Sequence, residues 1–237
     1  MQKTKITRFI EKYFLGGLVE NALWDVKDNV LSTRVDGDGT SFKAMVAIKD
    51  LEIEDCQLPV YDTDKLTKLF SVLESDVTLK VQKIDDTPIA VNAKDTDTTI
   101  TFNLADKDII PVSGPLKIEP EWTGVFKMDL SASNKFVNGC GALSDSVHFT
   151  FITTEAVQLV LNHEKNRNVD KISIPLNTIT NDGVEELSFA SQHLRNMLVA
   201  NKDAESINIK VSNDGLMEVK CIGSDFVSTY YLLPLDK

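Results

Sequence analysis

Three aspartates, Asp36, Asp38 and Asp62, are the first residues of this 237-residue chain whose type and spacing suggest chemistry. Asp36 and Asp38 stand in "DGDG", residues 36–39, which has the D-x-D opening of a calcium loop. Such a loop ends on a bidentate Glu, and none follows at that spacing. Asp-Gly between alternating apolar runs is a hairpin signal, so a turn is the expectation. Cys140 lies between Gly139 and Gly141, but a nucleophile needs an adjacent base. This "GCG" sits inside a helical pattern with no His–carboxylate pair placed to activate it. His148, His163 and His193 lack metal-ligand spacing and have no neighbouring Cys. No G-x-x-x-x-G-K-S/T phosphate loop is present. These residues predict no enzyme, no metal and no cofactor.

Positive charge at helical spacing carries more. In "KITRFIEKYF", residues 5–14, Ile6, Phe9, Ile10, Tyr13 and Phe14 recur as one buried helix face. Lys5, Arg8 and Lys12 fall within an arc of roughly 60°, turned away from that face. The phase recurs. Lys65 and Lys68 flank Leu66, Lys135 and Asn138 flank Phe136, and His193 and Asn196 flank Leu194 in the same way. No carboxylate takes these positions, although the chain has 36 acidic residues against 25 basic and a net charge of -11. A basic helix face is often only a solvated face. Its recurrence on four helices fits a groove or tunnel whose lysines meet phosphates without regard to base sequence. The overall acidity excludes a protein that coats nucleic acid with its whole surface.

The elements that must position these residues follow from periodicity. Helices are predicted over 5–14, 62–73, 131–143 and 191–201, with Asp62 or Asp64 capping the second and Ser131 or Ser133 the third. Alternating runs between them predict mostly antiparallel strands, with a tight turn at Lys27–Asp28. Residues 105–121, "ADKDIIPVSGPLKIEPE", hold Pro111, Pro115 and Pro120 and read as an extended connector. The chain is expected to be α+β, with domains over 1–105 and 122–237 and a connector over 106–121. Each domain would set two helices on its sheet. A composition 42% hydrophobic and 26% charged is that of a folded protein. No apolar run reaches membrane-spanning length, and "MQKTKITRFI" lacks a signal-peptide pattern. Cys56, Cys140 and Cys221, odd in number and widely spaced, suggest reduced thiols and a cytoplasmic setting.

Several short motifs, in order along nearly the whole chain, resemble the sliding clamps, the family of proliferating cell nuclear antigen, archaeal clamps and bacteriophage clamps. "NALWDV" (21–26) is similar to the first strand after the opening helix, and "TRVDGDGTSF" (33–42) to the following hairpin. "LKIEPEWTGVFKM" (116–128) resembles the end of the interdomain connector and the first strand of domain 2. "SNKF" (133–136), with Cys140 and Leu143 beyond it, resembles that domain's opening helix. "YYLLPL" (230–235) resembles the family's C-terminal motif, with Leu233 in place of its usual alanine. The short loops lean toward bacteriophage-type clamps.

The resemblance implies a DNA-clamp fold closed into a head-to-tail homotrimeric ring. Such a processivity factor encircles duplex DNA and tethers DNA polymerase after a clamp loader opens it, at the site of replication in a cell or a virus's host. The DNA-facing residues would be Lys5, Arg8, Lys12, Lys65, Lys68, Lys135, His193 and Asn196. Val35, Leu116, Ile118, Tyr231, Leu233 and Pro234 match the family's apolar pocket for partner peptides. Asp36, Glu119 and Asp236 would stand at its rim. Thr98, Ile100 and Phe102 would meet Lys171, Ile172 and Ile174 of the next subunit. Pro175 supports edge status for that second strand. The alternative is a clamp-like interaction scaffold that does not encircle DNA.

Overall fold

A computed structural model of the chain describes residues 3–37, 41–74, 76–116, 118, 120–153, 156–165 and 168–235. They form two compact units, Met1–Pro115 with Asp225–Ser228, and Leu116–Ser224 with Thr229–Lys237.

The first unit contains α1 (Lys3–Phe14), β1 (Ala22–Lys27), β2 (Val30–Asp36), β3 (Phe42–Ile48), β4 (Cys56–Val60), α2 (Thr63–Ser71), β5 (Thr78–Ile84), β6 (Thr87–Lys94) and β7 (Thr99–Asn103). One antiparallel sheet runs β4-β1-β2-β3 and a second β5-β6-β7. The apolar stripe of α1 is buried as its spacing demands: Ile6, Phe9, Ile10 and Tyr13 are at most 2% exposed. The Tyr13 hydroxyl lies 3.2 Å from Thr63 Oγ1 at the start of α2 and accepts from Trp24 Nε1 at 3.1 Å. Burial raises the Tyr13 hydroxyl far above its ordinary pKa, so it stays a neutral hydrogen-bonding group. Asp62 caps α2 by accepting from Lys65 N at 2.8 Å.

The second unit contains β8 (Gly124–Met128), α3 (Leu130–Ala142), β9 (His148–Thr153), β10 (Val157–Leu161), β11 (Ile172–Pro175), β12 (Asn177–Asn181), β13 (Ser188–Ala190), α4 (Ser191–Ala200), β14 (Ser206–Ser212), β15 (Leu216–Ile222) and β16 (Phe226–Leu232), whose first three residues belong to the first unit. Its sheets run β12-β8-β14-β15-β16 and β11-β10-β9-β13. The plan repeats that of the first unit. A strand from after the meander, β13 or β4, returns to pair with the strand that opens it, β9 or β1.

Several expectations shift. The turn after β1 is Asp28–Asn29, both at positive φ, as a two-residue hairpin turn requires; Lys27 stays paired with Val30. Asp129, accepting from Ala132 N at 2.7 Å, caps α3 in place of Ser131 or Ser133. Strands β4 and β12 are among those that escaped prediction. In β4, Pro59 interrupts the pattern, and β12 is exposed at every residue, so it offers no buried alternation. Residues 107–109 of the expected extended connector form a 3-10 turn capped by Asp106.

α3 packs against its sheet through Phe136, which meets Phe149 edge-on at 5.2 Å, and through Gly139. A Cβ on Gly139 would stand 2.7 Å from Leu161 Cδ1 and 3.3 Å from Ile172 Cδ1. The glycine is therefore kept for close approach of helix to strands. Gly139→Ala should destabilise the protein by about 1–3 kcal/mol, read from the urea midpoint, despite alanine's better helix propensity.

Candidate nucleic-acid interface and partner surfaces

The cations of α1 lie against their own unit. Arg8 presents its fork to Asp225, with Nη1 3.1 Å from Oδ2 and Nη2 3.0 Å from Oδ1. Lys5 Nζ lies 3.8 Å from the same carboxylate and 4.0 Å from Asp50, and donates to the Lys49 and Asp50 carbonyls. Lys12 corrects the expected stripe. It is only 1% exposed, with Nζ 3.9 Å from the centroid of the Phe226 ring. Tyr13 and Ile10 roll α1 so far inward that position 12 falls at the edge of the buried face. Asp225 and Phe226 were invisible to pattern reasoning because they stand more than 200 residues away in "SDF", which has no signature of its own.

The other helices differ. Lys65 and Lys68 are exposed on α2; Lys65 Nζ lies 3.4 Å from the Tyr61 hydroxyl, and Lys68 forms an i,i+4 pair with Asp64 in solvent. That pairing raises the Lys68 pKa above its ordinary value, so the ammonium stays charged. Lys135 is exposed on α3. On α4, His193 is half-buried, and burial lowers its pKa, so it is neutral at neutral pH. Asn196 accepts from Gln192 Nε2 at 2.8 Å. Polar character at these two positions thus comes without charge.

The residues expected to hold partner peptides fall in both units. In the first, Val35 is 3% exposed beside a cavity of about 400 Å³ that Pro111 and Ser113 also line. In the second, Ile118 is 82% exposed and Leu233 50%, while Leu116, Tyr231 and Pro234 are half-buried. Asp36 accepts from Lys43 Nζ at 2.6 Å and from Ser113 at 2.8 Å. Glu119 and Asp236 lie outside the described residues.

β7 and β11 are each the end strand of their sheet. The alternation of antiparallel bonding identifies their open groups. Asp95 N donates to Thr98 O and Leu104 N to Ile89 O. Hence Thr98, Ile100 and Phe102 direct their backbone toward β6, and Thr99, Thr101 and Asn103 direct theirs outward. Ile100 and Phe102 are also buried in their own core, at 7% and 1% exposure. In β11, the Leu176 N to Val157 O bond places Ile172 and Ile174 on the β10 side and Lys171, Ser173 and Pro175 on the open side. Of the expected interface residues, Thr98, Ile100, Phe102, Ile172 and Ile174 are therefore on the inward half of their edges, and Lys171 is on the open half. Pro175 fits because its missing N–H would have faced out of the sheet. Asp95 accepts from the backbone N–H groups of Glu74, Asp97 and Thr98, which holds the turn into β7 and lowers its carboxyl pKa.

The residues first read for chemistry have structural work. Asp62 is a helix cap and Asp36 an ion-pair partner; Asp38 lies outside the described residues. Cys140 is half-buried, and burial lifts its thiol to about 11 despite the nearby Arg195, so it stays protonated at neutral pH. His148 sits in β9 with Nε2 2.9 Å from the His163 carbonyl.

No family model matches the chain, and no curated protein matches it. Among solved structures, the chain is similar to the crystal structure of proliferating cellular nuclear antigen from Entamoeba histolytica. The TM-score is 0.75 at 18% identity, covering 99% of this chain and 96% of that one. The fold is that of a sliding clamp, α+β and mostly antiparallel.

Lys12→Ala should cost about 2 kcal/mol, since it removes a buried cation over an aromatic face together with its packed stem. Lys65→Ala, on an open helix face, should change stability by less than about 0.5 kcal/mol. Urea unfolding of the two variants beside the parent checks the contrast; equal stabilities would return Lys12 to the exposed stripe.

Proposed function

We propose that this protein is a sliding clamp, a non-enzymatic processivity factor that encircles duplex DNA as a head-to-tail homotrimer and tethers DNA polymerase. Its clamp domains are 1–105 and 122–237, joined by the connector 106–121, and a clamp loader opens the ring at the site of replication. The observation that carries this reading is the exposure of Lys65, Lys68 and Lys135 on helices of both units, in a clamp fold with a net charge of -11. Cations on helices in an otherwise acidic protein favour a phosphate backbone at that face and repel it elsewhere. Lys5, Arg8, His193 and Asn196 complete the DNA face, with Lys12 removed from it. Ile118 and Leu233, with Leu116, Tyr231 and Pro234, offer apolar contacts for partner tails, as exposed apolar groups near polar ones commonly do.

Edge chemistry supports the trimer. Proteins blunt free strand edges with lysines, bulges and proline. β5, at the far edge of the three-stranded sheet, carries Lys80, Lys83 and a register shift at Gln82/Lys83. β7, "TITFN", carries none of these and keeps a regular register. An edge left unprotected suits pairing with β11 of a neighbouring copy, and such heterologous contacts close a ring when the rotation permits. The scaffold reading, without DNA, is favoured by the pairing of Lys5 and Arg8 with Asp225.

Loaded on circular DNA, the protein should be retained, and it should run off linear DNA of the same sequence. Changing Lys65, Lys68 and Lys135 together to Ala should reduce retention several-fold at moderate salt while the trimer persists. Equal behaviour on circles and linear DNA would remove the encircling ring in favour of the scaffold.

Thr101→Pro deletes an outward N–H and no internal ladder bond. It should give a folded monomer by sedimentation, with a normal circular dichroism spectrum. A trimer of unchanged stability would place the interface on another edge.

A further inference from the structure

Asp225 meets the cations of α1 through both of its carboxylate oxygens. Its two oxygens take the two Nη groups of Arg8 at 3.0 and 3.1 Å, and Lys5 Nζ lies 3.8 Å away. The backbone of Asp225 is anchored, since Lys49 N donates to its carbonyl at 2.8 Å, and its side chain is 15% exposed. The next residue, Phe226, places its ring 5.2 Å from the Arg8 guanidinium. Arg8 is therefore held by a carboxylate at its Nη groups and lies over an aromatic ring. By contrast, Lys68 and Asp64 of α2 are 74% and 59% exposed, and they separate in solvent with little cost.

The fork that Arg8 gives to Asp225 is the same two-donor geometry with which arginine takes a phosphate. The two Nη groups cannot give this end-on fork to Asp225 and to a phosphate at once. Sequence-independent affinity for DNA grows with the number of phosphates neutralised, and a surface that must slide is served by few and shallow contacts.

We propose that Asp225 is a positioning residue of the DNA-facing surface: it holds Arg8 and Lys5 on the protein and so limits how many phosphates α1 engages. This rests on the DNA-binding reading above. Asp225 does not touch DNA; it acts through the two cations. Its effect is to lower affinity and flatten the salt dependence relative to a helix whose cations are unrestrained.

The test uses the full-length protein and a short fluorescent duplex, with affinity followed by anisotropy between about 50 and 200 mM salt. Asp225→Asn should tighten binding about three- to tenfold and steepen the log–log salt slope by about one. Arg8→Lys, which keeps the charge but loses the fork, should also tighten binding, and it serves if Asp225→Asn fails to fold. In a Lys5→Gln/Arg8→Gln background, Asp225→Asn should change nothing further. The proposal is overturned if folded Asp225→Asn and Arg8→Lys both match the parent in affinity and slope. It is also overturned if Asp225→Asn tightens binding equally in the double-Gln background, because the carboxylate would then act only as a charge. If changing Lys65, Lys68 and Lys135 to Gln leaves parent binding untouched, the DNA reading itself is what fails, whatever Asp225→Asn does.

Discussion

The roll of α1 about its own axis is the constraint on which the first unit turns. Ile6, Phe9 and Ile10 are buried by the hydrophobic effect, but apolar packing alone tolerates some rotation. The Tyr13 hydroxyl removes that freedom, because a buried hydroxyl must keep its partners, and these are Thr63 at the start of α2 and Trp24 on β1. Phe9 packs edge-on against the Trp24 ring at 5.3 Å and against Tyr13 at 5.5 Å. With the roll fixed, the direction of every other side chain on the helix follows. Lys5 and Arg8 arrive beside Asp225, and Lys12 arrives over Phe226.

That placement changes what the helix charge means. A cation free in solvent is available to any phosphate, whereas one whose donors already face a carboxylate must exchange partners to bind another. α1 and α2 share one unit and carry similar charge in sequence, yet they offer it differently. Arg8 is restrained between a carboxylate and a ring, while Lys65 and Lys68 project from an open face. On α4 the polar positions are occupied by a neutral histidine and an amide. The cations are thus presented differently: Lys65, Lys68 and Lys135 are exposed on α2 and α3, while those of α1 lie against a carboxylate or a ring.

The sheets show a similar economy. Each ends on strands whose outer backbone groups need water or a partner, and the chemistry differs from edge to edge. β5 carries lysines and a register shift, and β7 carries neither device. The contrast between the two edges of one three-stranded sheet singles out β7 as the edge left receptive to another strand.

Periodicity by itself determined the four helices and most of the strands, because burial of one face leaves a repeat that local reading detects. The order of short motifs was enough to place the chain among clamp folds. What the sequence left undecided were contacts between residues far apart along it. The partnership of Arg8 with Asp225 and the burial of Lys12 against Phe226 follow from how β16 returns to the first unit, and no local pattern encodes that return. The same holds for the outward half of β7. Alternation tells which side chains are buried, as it did for Ile100 and Phe102, but the direction of each N–H depends on which strand lies beside it. Only the tertiary structure, by supplying β6 as that neighbour, decided that Thr99, Thr101 and Asn103 hold the open groups.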